Sequence, residues 1–195
     1  LTIRVFLALE LPEDAQRQLL SWIQKLRGMS EGQAEVLRWS RIEQFHLTMR
    51  FFGESTEEQC EAMIATTSRV VENHTVVEFA GGHLGAFPDW KRPRILWAGL
   101  SMPDDKLFAL FSKLDDAFDA AGLGRHDKSQ LQPHITLARI KSAAAGAIAR
   151  MYESERVQSW GGNYVLESLV LFRSELKPSG AVYTPLHRWI LAKAN

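Results

Sequence analysis

The sequence predicts a two-lobed fold of mixed strands and helices, duplicated around one shared cleft. Three observations predict it. The chain carries His46-Leu47-Thr48-Met49 and His134-Ile135-Thr136-Leu137, two copies of His, apolar, Thr, apolar. Each half repeats the order strand, helix, His-x-Thr strand, helix, strand. The spacing agrees throughout: the two histidines lie 88 residues apart, and the opening and later strands of each half are offset by about 90. At 195 residues, 46% of them apolar, the chain is long enough for one domain with a real core. Its pseudo-symmetric halves run roughly 1–90 and 91–195. Side chains alternate along a strand, so His46 and Thr48 share one face, with Leu47, Met49 and Phe51 on the other. The second copy sets His134 and Thr136 against Ile135 and Leu137. Two such hits among six histidines arise by accident about once in a thousand chains. The pair therefore reads as a site and not as two solvated strands.

Residues 3–9 read as a buried strand. Pro12 opens a helix where its missing N–H does no harm, and Glu13 and Asp14 suit the positive helix start. Ala15, Leu19, Trp22, Ile23 and Leu26 form its inward stripe, and Gly28 ends it. A looser segment leads to the first motif strand, 44–52, which Gly53 is expected to break. Ser55 and Glu58 form a capping-box pattern for the next helix, which turns Cys60, Met63, Ile64 and Val71 inward. Residues 75–80 look like a strand, followed by a Gly-rich stretch and a loop over 88–93. A buried strand at 94–100 and a helix with Leu107, Leu110, Phe111, Leu114 and Phe118 inward open the second half. Gly122 stops that helix. The polar segment 123–133 precedes the second motif strand, 134–140. An Ala-rich helix over 142–153, a strand over 164–173, a turn at 177–180 and a last strand over 181–191 complete the chain. Pro185 places that last strand at an edge or a bulge.

Formal net charge is zero, which argues against a surface that coats nucleic acid but leaves room for a small site for one RNA end. The single cysteine, Cys60, permits no intrachain disulfide and reads as a small core residue. No leader or membrane-length apolar run appears, so the expected compartment is the cytoplasm. No long apolar surface stripe is left over, so a monomer with no protein partner is expected. Two opposed imidazoles suit a reaction needing a base on one side and an acid on the other, because His titrates near neutrality. Two Thr hydroxyls between them can donate to the oxygens of a phosphate. In-line displacement at phosphorus puts the incoming and leaving oxygens on opposite sides. Metal binding is the rival, but the chain lacks His-Glu-x-x-His or spaced Cys/His ligands. No Gly-x-Ser-x-Gly elbow appears either. Neither a metal nor another cofactor is expected.

These residues resemble the 2H phosphoesterase superfamily, defined by two such His motifs. Within it, the chain is similar to the RNA 2′,3′-cyclic phosphodiesterase branch, historically called bacterial 2′-5′ RNA ligase. The flanking phrases carry this narrower resemblance: Arg4-Val5-Phe6, Trp39, Arg50-Phe51-Phe52-Gly53-Glu54, Pro93-Arg94-Ile95-Leu96-Trp97, Pro133 and Ala138-Arg139, Arg173-Ser174-Glu175-Leu176, and Tyr183-Thr184-Pro185-Leu186. The resemblance implies a bilobal α+β fold, with antiparallel sheets lining a central cleft and helices outside. It implies metal-free opening of 2′,3′-cyclic phosphate ends of RNA or nucleotides to a 2′-phosphate. His46 would be the general acid and His134 the general base, with Thr48, Thr136 and Arg139 on the phosphate. Strict alternation puts Arg139 off the His134 face, so that role needs a bulge. Arg50 shares the His46 face and is a candidate for RNA phosphate. Phe51 falls in the core row, with stacking on a base as the alternative. Arg125, His126 and Lys128 read as a solvated loop. Trp39, Tyr183 and the histidines at 74, 83, 126 and 187 read as structural or surface residues. Two other readings stay open: 2′-5′ ligation or 2′-5′ cleavage at the same site, and a non-catalytic RNA-end-binding module.

Overall fold

Two antiparallel sheets face one another, and each draws strands from both ends of the chain. The computed structural model describes residues 1–30, 35–125, 131–141, 145–178 and 180–193. In the first sheet β1 (Ile3–Glu10) lies between β3 (His46–Ser55) and β8 (Ser168–Lys177), with β9 (Gly180–Ile190) outside β8. In the second, β5 (Ile95–Ser101) lies between β6 (His134–Ile140) and β4 (Val77–Phe87). β2 (Leu37–Trp39) and β7 (Asn163–Leu166) form its edges. One rule builds both. The opening strand of each half, β1 or β5, pairs with its own motif strand on one side. On the other side it pairs with a strand of the opposite half, β8 or β4.

Helices cover the outer faces. α1 (Glu13–Met29) follows Pro12 and buries Ala15, Leu19, Trp22, Ile23 and Leu26. α2 (Glu57–Val71) and α3 (Lys106–Ala120) pack on each other. One core cluster joins these helices to the outer faces of both sheets, including Leu7, Leu47 and Met49 from one and Leu96, Ile135 and Leu137 from the other. Cys60 belongs to it. A smaller cluster of Phe6, Ala8, Val170 and Phe172, with Tyr183 against it, lies on the inner face of the first sheet. Among the described residues no helix is long and apolar enough to cross a membrane.

Several boundaries differ from the sequence expectation, each for a local reason. β3 does not stop at Gly53. That residue takes φ 76° where the ladder slips by one residue, so the strand bends there and runs on to Ser55. The α2 cap is Thr56 and not Ser55: its hydroxyl accepts from the Gln59 N–H, and the Gln59 side chain answers the Thr56 N–H. The Gly-rich stretch is strand, since β4 continues to Phe87. A Cβ on Gly85 would collide with the Trp97 ring lying across it. The segment before the first motif contains β2, which pairs with β6. The strand expected over 164–173 divides at Glu167 into β7 and β8, and the Ala-rich helix, α4, extends over Ala145–Met151.

Candidate active site

Both motif strands contain the same irregularity at the same place. In β3, Ala8 pairs with Thr48 and Leu7 with Arg50, leaving Met49 as an extra residue. In β6, Trp97 pairs with Thr136 and Leu96 with Ala138, leaving Leu137 as the extra one. A bulge of one residue inverts the alternation beyond it. His46, Thr48, His134 and Thr136 lie before the bulges and line one cleft. Past the bulges, Phe51 and Arg139 turn into that cleft, while Arg50 and Ala138 turn away and are buried.

Two sequence expectations change as a result. Arg50 does not share the His46 face. It is 6% exposed, and its Nη1 lies 2.8 Å from Asp115 Oδ1. Its Nη2 donates to the carbonyls of Leu123 and Gly124, and the guanidinium rests over the Phe52 and Phe118 rings. Phe51 does not join the core. It is 68% exposed at the cleft. Arg139 lines the cleft because the bulge brings it round to the His134 face.

The two imidazoles are anchored alike. Nδ1 of His134 lies 2.6 Å from the Gln132 carbonyl oxygen. A carbonyl only accepts, so Nδ1 carries the hydrogen and Nε2 is the nitrogen that can exchange a proton. His46 makes a main-chain hydrogen bond to Gln44, again two residues earlier. Their surroundings differ. His46 packs at 4.9 Å from the Phe6 ring and 5.2 Å, edge-on, from Tyr183. Burial pushes its pKa down to about 4, the positive charge of His134 adds to that, and the Gln44 bond opposes it. His134 stands edge-on to Phe87 at 4.9 Å and to Trp97 at 6.0 Å.

The cleft encloses about 570 Å³. Five cations line it, Arg4, Arg38, Arg41, Arg139 and Lys177, and no carboxylate does so among the described residues. Tyr183, read as structural from sequence, lines it too. Burial raises its hydroxyl pKa, while Arg139 and Arg4 pull the other way. Trp39 and Gln44 also reach it. The sequence carries a signal for the anchors: a glutamine stands two residues before each motif histidine, at Gln44 and Gln132. His74, His83 and His187 lie away from the cleft lining, and His74 is buried, not exposed. His126 and Lys128 fall outside the described residues. Arg125 pairs with Asp116 and Asp119. No group of three or more His, Cys, Asp or Glu among the described residues is placed to hold a metal ion.

Known proteins are similar to this chain in sequence and in shape. The profile of the family described as LigT like Phosphoesterase matches residues 9–97. The RNA 2′,3′-cyclic phosphodiesterase of Thermus thermophilus is 30% identical over 196 residues, spanning 97% of this chain and 90% of its own length. TT0787, also of Thermus thermophilus, has a solved structure that matches 99% of this chain and 100% of its own, with TM-score 0.80 and 28% identity. Escherichia coli LigT complexed with 3′-AMP matches 99% of this chain and 100% of its own with TM-score 0.74. At 22% identity that likeness speaks to the fold.

Proposed function

This chain belongs to the LigT-like RNA 2′,3′-cyclic phosphodiesterase family of the 2H phosphoesterase superfamily, and from that premise we propose that it hydrolyses 2′,3′-cyclic phosphate ends of RNA to 2′-phosphates by acid–base catalysis from two histidines, without a metal. One observation carries the reading: His46, Thr48, His134, Thr136 and Arg139, from two separate strands, line a single cationic cleft. We read the whole chain as a single domain, its two pseudo-symmetric lobes each contributing one imidazole.

In this mechanism Nε2 of His134 takes a proton from water as the water oxygen bonds to phosphorus. The bond from phosphorus to O3′ breaks on the opposite side, and His46 gives O3′ its proton. The phosphate stays on O2′. Thr48 and Thr136 donate to the non-bridging oxygens, and Arg139 balances the charge that builds on them. The same steps with a 5′-hydroxyl in place of water, its oxygen bonding to phosphorus as O3′ leaves, join two ends through a 2′-5′ linkage, which is the 2′-5′ ligase reading of this site.

A second assignment of roles is favoured by one observation. The depressed His46 pKa leaves that ring neutral at pH 7, the state of a base. The two imidazoles interact, so they titrate as a pair. An anionic phosphate between them raises the proton affinity of His46, and the acid role draws on that rise.

The test is hydrolysis of an RNA ending in a 2′,3′-cyclic phosphate, in excess chelator, from pH 5 to 9. The expected result is a 2′-phosphate product with a bell-shaped rate profile. Turnover that returns only when metal is added overturns the metal-free mechanism. No turnover under any condition moves the weight to 2′-5′ linkages or to binding alone.

A further inference from the structure

We infer that the cleft holds a second anion subsite, made by Arg38, Arg41 and Lys177, for the backbone phosphates upstream of the reacting end, so that the preferred substrate is an oligonucleotide. This rests on the cyclic phosphodiesterase reading and adds the length of RNA that the site reads. The first support is charge. The chain is neutral overall, yet five cations and no carboxylate line this cleft among the described residues. A cyclic phosphate carries one negative charge, and Arg139 with two Thr hydroxyls meets it. Arg4, Arg38, Arg41 and Lys177 are then surplus to a mononucleotide, and of these Arg38, Arg41 and Lys177 lie in or next to β2 and the β8–β9 turn.

The second support is register. Arg38 pairs directly with Arg139 across the β2–β6 ladder, and both side chains line the cleft. Residues directly opposite on one face have Cβ atoms about 5 Å apart, and like charges there repel. An anion between or beyond them removes that penalty. Arg38 lies one strand outward from Arg139, so its anion lies one strand farther from the reacting phosphate.

The third support is how these arginines are held. Arg38 Nη2 reaches the Pro178 carbonyl at 3.4 Å, and Arg41 Nη2 reaches the Ala181 carbonyl at 3.5 Å. Gln44 Nε2 donates to the same Ala181 carbonyl at 2.9 Å. These bonds tie β2 and the segment after it to the β8–β9 turn and the start of β9, next to Lys177. Each guanidinium has five N–H groups, so one bond to a carbonyl positions it without exhausting its donors. The strand 5′ to a 3′-terminal cyclic phosphate must leave the cleft, and this cationic rim gives it a path.

The experiment measures kcat/KM on a cyclic mononucleotide and on a tetranucleotide with the same 2′,3′-cyclic end, at several salt concentrations. The tetranucleotide is expected to be favoured by about tenfold or more at low salt, with a log–log salt slope near −2, as about three neutralised single-strand phosphates give. Arg38→Gln, Arg41→Gln and Lys177→Gln are each expected to lower the tetranucleotide-to-mononucleotide ratio several-fold and flatten the slope by about 0.7. A wild-type ratio near one, or variants that slow both substrates equally, overturns the subsite. Anisotropy of a labelled tetranucleotide ending in a 2′-phosphate, on the same variants, keeps the two proposals apart. Loss of binding in the variants supports the subsite even where no hydrolysis occurs, and unchanged binding overturns it even where hydrolysis is fast.

Discussion

β3 and β6 carry the same motif, the same bulge and the same Gln main-chain anchor, yet they place their imidazoles in unlike surroundings. His46 sits among Phe6, Phe172 and Tyr183, and burial drives its pKa down to about 4. His134 stands edge-on to Phe87 and Trp97, with a short bond to Gln132. Past the bulge the strands diverge further. β3 sends Phe51 into the cleft where β6 sends Arg139, and β3 buries Arg50 where β6 buries Ala138. The difference teaches that the motif places the ring and the neighbours set its proton. A duplicated strand supplies two imidazoles that line one cleft. Unequal packing then makes them chemically different, which an acid–base pair requires.

Removing either ring is the largest way to break this pairing. His46→Ala and His134→Ala are each expected to lower kcat on a cyclic RNA end by about 10²–10⁴-fold. The double variant should be little worse than the singles, because the groups act as a unit. Steady-state kinetics on the three proteins checks this, and multiplicative losses would show two independent roles.

The next effect separates the strands by stability. Arg50→Ala takes the guanidinium away from the half-buried Asp115 and strips two carbonyls of their donor, so it should destabilise the fold by about 3 kcal/mol or more. β6 has Ala138 in the same place and depends on no such pair. Urea denaturation of Arg50→Ala and Arg50→Met tests it. A loss under about 1 kcal/mol in both would mean that the ion pair contributes little to holding β3.

A comparable effect, confined to low pH, sharpens the contrast between the rings. The folded His46 pKa of about 4 lies below its ordinary 6.5. Between those values the unfolded chain binds more protons, so stability rises with pH across that window and is flat above it from this group. The total is at most roughly 3 kcal/mol. Stability measured from pH 4 to 7 should lose that part of its slope in His46→Gln. An unchanged slope would place the low-pH sensitivity elsewhere.

The smallest effect probes the threonines. Thr48→Val and Thr136→Val each remove one hydroxyl donor at similar volume, and each should lower kcat/KM about tenfold or less. Similar losses would mean that the two strands hold the phosphate evenly. A loss in one alone would assign the phosphate to that strand.

Much of this was legible in the sequence because it rests on period and repetition. The inward stripe of α1, the motif strands and the duplicated order follow from apolar spacing that tertiary contacts reinforce. The illegible part came from events that alternation does not encode. A single unpaired residue at Met49 moved Phe51 into the cleft and Arg50 out of it, whereas the matching bulge at Leu137 brought Arg139 in. The strand nature of the Gly-rich stretch was hidden because the reason for a glycine at position 85, the Trp97 ring across it, lies on another strand. The exchange of β4 and β8 between sheets is a long-range pairing that no local pattern announces. Trp39 and Tyr183 gave no local sign of the cleft that they line.

In the proposed reaction one imidazole serves as acid and the other as base. A cyclic phosphate with sulfur in place of O3′ tests that most directly, because a thiolate leaves without needing a proton. With this substrate His46→Ala should regain most of its lost rate while His134→Ala stays slow. The opposite pattern would exchange the two roles, and equal rescue of both or of neither would contradict the division of labour itself.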